Sequence, residues 1–123
     1  MASDLTDLDR GIVCGLLLSQ GSFGGDGRQP QITLRMHVRH AVLLEWLTER
    51  FPRSRLYGPY HHGDRSYYQW MARGRGLVED LLPVLEAVVS PALDEPAAER
   101  LAAMTTDYAD YIARIRARGG GAA

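Results

Sequence analysis

Lysine is absent from the chain. All fourteen basic residues among its 123 are arginine, which reads as a GC-rich coding bias and not as a functional choice. Cysteine is almost absent as well. The single Cys14 lies inside an apolar run, which excludes an intrachain disulfide and a cysteine-based zinc site and fits a reducing cytoplasm. No apolar run approaches the roughly twenty residues that a bilayer-spanning helix needs, and no signal peptide is visible. There is no internal repeat, and no low-complexity segment beyond the Gly-Gly-Gly-Ala-Ala tail. The common catalytic signatures are missing: GxSxG, HExxH, CxxC and any Ser-His-Asp order. The glycine-rich stretch over residues 21–27 lacks the GxxxxGK[ST] pattern and follows a helix instead of a strand, so it reads as a turn and not as a phosphate loop.

What is present is charge of unequal distribution. The formal net charge is −1, but residues 28–75 carry nine arginines against three acids (Glu45, Glu49 and Asp64). The rest of the chain carries five arginines against twelve acids. This segregation predicts a basic face on an otherwise acidic protein, and such a face attracts phosphates and nucleic acid. The length suits one domain with a modest core.

The stretch that organises the chain is Gly11-Ile-Val-Cys-Gly-Leu-Leu-Leu-Ser-Gln-Gly-Ser-Phe23. Its apolar residues go nearly all the way round a helix, which predicts burial on more than one side. Gly11 and Gly15 share a face, and each weakens a helix by about 1 kcal/mol relative to alanine. Close approach of a second helix backbone would offset that cost. Thr6 or Asp7 can cap this helix, with Asp9 in its first turn.

Downstream, Asp26-Gly27 marks a hairpin turn. Residues 31–39 give the clearest strand signal. Ile32, Leu34, Met36 and Val38 alternate with Gln31, Thr33, Arg35, His37 and Arg39, and the second set is expected on an exposed face. Donors, acceptors and arginines on one sheet face can meet base edges and phosphates. A helix is expected from about Ala41 to Phe51, with Val42, Leu43, Trp46 and Leu47 inward and Glu45 and Glu49 outward. A second hairpin follows over residues 56–73. There Tyr68, Trp70 and Ala72 point inward, and Tyr60, His62, Arg65, Tyr67, Gln69 and Arg73 join the exposed face. Residues 76–90 read as a helix, with Pro83 either kinking it or standing in an early turn of a helix that begins nearer Glu79. A final helix from about Asp94 carries the stripe Leu101, Met104, Tyr108, Tyr111 or Ile112, and Ile115, and packing against the domain is the simpler explanation of it. His37 and His40, and the adjacent His61 and His62, lack the additional Cys, Asp or Glu of a zinc site.

Val13-Cys-Gly-Leu-Leu-Leu-Ser-Gln-Gly21 resembles the LAGLIDADG helix of homing endonucleases and their non-cleaving regulatory relatives, matching at Gly15, Leu16, Leu17 and Gly21. The resemblance covers about residues 6–90 and implies an α+β fold. Its core is an αββαββα domain with a four-stranded antiparallel saddle sheet, followed by an extra C-terminal helical extension (91–118) and a disordered tail (119–123). In that family the motif helices of two domains pack together. This implies a homodimer joined through Gly11, Gly15 and Leu18. The acidic residue before the last glycine of the motif holds the catalytic metal. Here that position is Gln20, a neutral amide. The junction residue His40 matches a place where the family often keeps a polar active-site residue, although a helix cap or an exposed surface histidine also explains it.

The resemblance therefore implies a cytoplasmic, nucleoid-associated homodimer that binds double-stranded DNA at a pseudo-palindromic site without cutting it, in a role in transcription regulation, with no cofactor. Arg35, Arg39, Arg65 and Arg73 are expected at phosphates or guanines, and Gln31, Thr33, His37 and Gln69 at base edges. Three alternatives stay open: an active metal-dependent homing endonuclease using magnesium, a protein-interaction module, and a structured-RNA binder.

Overall fold

The computed structural model describes residues 4–121. Helix α1 (Asp7–Gln20) begins at Thr6, whose Oγ1 accepts the Asp9 backbone N–H at 3.0 Å while the Asp9 carboxylate accepts the Thr6 N–H at 3.2 Å. This reciprocal capping box satisfies two otherwise orphaned donors. The helix buries Val13, Cys14 and Leu17. It does not bury the remaining apolar residues as expected: Leu8 is 73% and Ile12 40% exposed. Gly11 and Gly15 are also exposed, and among the described residues nothing lies near a Cβ built on either. The close backbone approach expected at the two glycines is therefore not made inside one chain.

Strands β1 (Gly21–Gly25) and β2 (Pro30–His37) form the first hairpin, and β3 (Arg55–His62) and β4 (Arg65–Arg73) the second. The sheet is antiparallel with the order β1-β2-β4-β3. Asp26 closes the first turn by accepting the Arg28 and Gln29 N–H groups at 2.8 and 2.9 Å. β2 ends at His37, so Val38 and Arg39 lie in a 3₁₀ turn (Val38–His40) and not in the strand. His37 Nδ1 accepts the Arg39 N–H at 3.0 Å and stops the strand there.

Helix α2 (Ala41–Arg50) buries Leu44 and Leu47, with Leu43 and Trp46 half-buried. Val42, expected inward, is 79% exposed. The helix is rotated so that its stripe leads into Phe51, which packs edge-on against Trp70 at 6.4 Å between ring centroids. Trp70 also donates its indole N–H to Ser54 Oγ at 2.9 Å, and Ser54 in turn donates to the Phe51 carbonyl at 2.6 Å. A fully buried indole thus keeps a partner, as burial of a polar N–H requires.

A continuous helical segment follows, made of α3 (Gly74–Gly76), a π turn (Leu77–Leu81) and α4 (Leu82–Val88). Pro83 has no N–H to bond four residues back. The widened turn just before it, in which the Leu82 N–H reaches Leu77 O, absorbs that defect. Asp80 in this segment is buried, and Arg53 holds it with two parallel bonds, Nε to Oδ2 at 2.8 Å and Nη2 to Oδ1 at 2.7 Å.

The expected last helix is two, α5 (Glu95–Asp107) and α6 (Ala109–Gly121), separated by Tyr108. Tyr108 breaks the run because its side chain is held elsewhere: its hydroxyl accepts the Gly27 N–H at 2.9 Å in the first hairpin turn. Its ring lies so close to Gly25 that any Cβ there would overlap it. Leu101, Met104, Ile112 and Ile115 are buried, and the stripe packs on the domain as expected. α6 continues to Gly121, so part of the expected tail is helical; residues 122 and 123 lie outside the described residues. The fold is α+β, with the helices gathered on one face of the four-stranded sheet through Ile32, Leu34, Trp70 and Ala72, which belong to one core with Leu17, Leu44, Leu77, Leu81 and Leu85. Among the described residues, no helix is long and apolar enough to cross a membrane.

Candidate nucleic-acid interface

Strand parity sets the opposite face of the sheet. Each residue of β2 with an inward neighbour on either side points away from the helices, and the register carries that parity to β4 and β3. Gln31 lies opposite Arg73, Arg35 opposite Gln69 and His37 opposite Tyr67. On the other side of β4, Tyr57 lies opposite Gln69, Tyr60 opposite Tyr67 and His62 opposite Arg65. Gln31, Thr33, Arg35, His37, Tyr60, His62, Arg65, Tyr67, Gln69 and Arg73 therefore share one face, and each is exposed or half-buried. Arg39, expected with them, sits in the turn after β2, exposed but outside the sheet.

Three further residues of this face escaped the sequence pattern. Met71 follows directly from the parity of β4. Arg55 and Tyr57 were hidden because the β3–β4 register shifts between Tyr57 and Tyr60. An inserted residue reverses the in-out parity of the strand from that point on. Arg55 and Tyr57 thus face the same way as Tyr60 and His62 despite opposite numbering. The signal was available in Gly58-Pro59, since a proline or glycine within a strand marks a bulge.

The electrostatics of the face are one-sided. β2, β3 and β4 contain no aspartate or glutamate. Arg35, Arg55, Arg65 and Arg73 make no ion pair among the described residues, whereas the paired arginines (Arg10, Arg50, Arg53, Arg75 and Arg116) all lie off the strands. Arg35 is the most constrained of the four. Its Nε donates to Gln69 Oε1 at 2.8 Å, and its guanidinium lies 5.6 Å from the centre of the Tyr67 ring. Tyr67 in turn stacks obliquely against Tyr60 at 5.5 Å. Among the described residues the two terminal nitrogens of Arg35 carry no hydrogen-bond partner, so the side chain presents a pre-positioned fork of donors. Beside it, Arg35, His37, His62, Arg65 and Tyr67 line a shallow hollow of about 450 Å³.

Gln20 lies at the end of α1, exposed, with no side-chain hydrogen bond among the described residues. Gly21 after it is sterically required, because a Cβ there would lie 2.6 Å from the Leu17 carbonyl oxygen. Among the described residues no three His, Cys, Asp or Glu side chains gather where they could hold a metal. Hard divalent cations prefer carboxylate oxygens, and the neutral amide oxygen of Gln20 is a weaker ligand than a carboxylate would be. His40 occupies the position before α2 but makes no capping bond; it is half-buried at the end of the 3₁₀ turn. Leu18 is half-buried, and its carbonyl accepts Arg100 Nη2 at 3.0 Å, which ties α5 to the end of α1.

No protein-family model matches the sequence, and no curated protein is significantly similar. Solved structures do match. The group I intron-encoded homing endonuclease I-CeuI, in complex with DNA, aligns at 19% identity with a TM-score of 0.57, over 87% of this chain and 58% of its own. The homing endonuclease I-TnaI aligns at 18% identity with a TM-score of 0.59, over 87% of this chain and 79% of its own. A mutant of I-SmaMI aligns at 13% identity with a TM-score of 0.56, over 96% of this chain and 46% of its own. The chain thus spans little more than half of I-CeuI and less than half of the I-SmaMI mutant. Identities at this level speak to architecture, and with the sheet order, the motif helix and the two hairpins they establish that this chain has the LAGLIDADG homing-endonuclease fold.

Proposed function

We propose that the protein is a homodimeric, sequence-specific binder of double-stranded DNA that does not cut its target and acts as a regulator. The observation that carries this is the acid-free sheet face, where four arginines lack ionic partners and Arg35 is oriented by Gln69 and Tyr67. A guanidinium fork of this kind matches O6 and N7 of guanine in the major groove, while Arg65 and Arg73 suit phosphates. Gln31, Thr33, His37, Gln69 and His62 supply further base-edge partners. The solved homing endonuclease I-CeuI, which has the same fold, is complexed with DNA, and this chain would meet a duplex through its acid-free sheet face.

Two-fold assembly rests on α1. Leu8, Gly11, Ile12 and Gly15 form an exposed apolar and small-residue face, and two such helices can approach closely where glycines leave room. A dimer would present two sheets to a pseudo-palindromic site. Absence of cleavage rests on Gln20, whose amide is a poor ligand for magnesium. Residues 6–90 would carry the interface, and the helices from 91 onward would brace the first hairpin through Tyr108.

Selection from a random-duplex pool at two salt concentrations with magnesium present, followed by sequencing, tests this. A two-fold motif retained intact, with affinity falling as salt rises, is the expected result. Ends clipped within the motif would show cleavage. Retention of structured RNA in preference to duplex, or of neither, would overturn DNA binding.

A further inference from the structure

The sheet face ends in a second basic feature that the base-reading residues do not use. At the end of the sheet near the β1–β2 turn, opposite the end that carries His37, His62 and Arg65, a hollow of about 280 Å³ is lined by Gln29, Arg53, Arg55, Tyr57, Arg73 and Arg75. Its four arginines fall into two pairs. Arg53 is fixed by the buried Asp80 and by Glu79, and Arg75 is fixed by the same Glu79 oxygen, with bonds between 2.7 and 3.0 Å. Two carboxylates thus offset two of the charges and hold those guanidinium groups in place. Arg55 and Arg73 have no carboxylate partner among the described residues and are exposed. The hollow keeps a surplus of two positive charges, with the Tyr57 hydroxyl and the Gln29 amide as neutral polar groups at its wall.

We propose that this notch is a phosphate clamp that takes one phosphodiester of a duplex strand, with Arg55 and Arg73 as the contacting residues and Arg53 and Arg75 as its fixed wall. The assignment rests on the DNA-binding function proposed above. Guanidinium groups recognise phosphate oxygens through paired N–H donors and stay charged at every working pH. The charged groups of the notch wall are guanidinium donors, and no side-chain carboxylate among the described residues faces it unpaired. That favours a phosphate over a base edge, which presents acceptors and donors together. The clamp would fix the register of the duplex while the Arg35 end of the face reads sequence.

The test compares the wild type with Arg55→Ala/Arg73→Ala on a mixed-sequence duplex across a range of salt. Loss of one clamped phosphate should lower affinity about tenfold and make the plot of log affinity against log salt shallower by about 0.9. The melting temperature should stay near that of the wild type, since neither arginine has an ionic partner to lose. A duplex with a neutral methylphosphonate at the clamped position should weaken the wild type and leave the double variant unaffected. If the wild type binds and the double variant keeps the full slope, the clamp is wrong and DNA binding stands. If the wild type shows no salt-dependent binding, both fall. If inorganic phosphate at constant ionic strength stabilises the wild type alone while the slopes coincide, the notch holds free phosphate and the duplex assignment is overturned.

Discussion

Single residues on the sheet face divide by what they touch. Among the described residues Arg35 hydrogen-bonds Gln69 and lies over the Tyr67 ring, makes no ion pair and is exposed, so its removal costs little folding energy. Arg35→Ala should weaken duplex binding, by roughly 1–3 kcal/mol where it reads a guanine, and relax specificity at that base pair, with a nearly unchanged melting temperature. A large drop in melting temperature would show that position 35 supports the fold instead. Arg53 is the opposite case. Its partner Asp80 is 2% exposed, and removing one member of a buried pair leaves an uncompensated charge, commonly at a cost of about 3–5 kcal/mol. Arg53 is itself 40% exposed at its side chain, so Arg53→Met should fall at the lower end, about 3 kcal/mol in chemical denaturation. A variant as stable as the wild type would mean that water reaches Asp80. The hydrogen bonds that Arg53 donates to Asp80 and Glu79 raise the pKa of its guanidinium against the opposing effect of burial, and it stays charged throughout.

At the scale of elements, α1 is the informative one. Its apolar residues were legible, but their all-round pattern does not say which faces the chain itself covers. Val13, Cys14 and Leu17 are covered; burial in that packing pushes the Cys14 thiol up. Leu8, Gly11, Ile12 and Gly15 are left outside. Because a Cβ at Gly15 meets open space within one chain, Gly15→Leu should leave the monomer folded and prevent a second α1 from approaching. Light scattering should then report monomer; an intact dimer would place the interface on another face. The β3 strand teaches a different point. Alternation was readable along β2 because one residue in two faces inward there, buried at Ile32 and Leu34 and half-buried at Met36. On β3 the bulge at Gly58-Pro59 reversed the alternation, and Arg55 and Tyr57 went to the exposed face against the count.

For the whole molecule, acid stability links the hairpin turn to the helical layer. Backbone N–H groups of Gln29 and Arg28 hold the Asp26 carboxyl below its usual range, and the Arg75 hydrogen bond, aided by Arg53, does the same for Glu79 against the opposing effect of desolvation. A carboxylate whose folded pKa is depressed adds stability above its unfolded value and loses it as pH falls through the folded one. Melting temperature should therefore hold above about pH 4.5 and decline progressively below it. Glu79→Gln should lower stability near neutrality and reduce the acid dependence. An identical pH profile for the variant would remove Glu79 from the linkage.

The sequence by itself determined the local features: the Thr6 cap, the Asp26-Gly27 turn, the alternation of β2 and β4, and the motif helix that announced the fold. Each is encoded within a few residues, where backbone geometry and side-chain period leave few choices. Only the tertiary structure decided which arginines are spent on structure and which stay available. Arg53 and Arg55 are near neighbours in the chain, yet one meets Asp80 from the helical segment and the other meets no carboxylate among the described residues. It also rotated α2 to leave Val42 outside, and it broke the last helix at Tyr108 to reach Gly27. Those outcomes depend on contacts between residues far apart in sequence, and no local period records them.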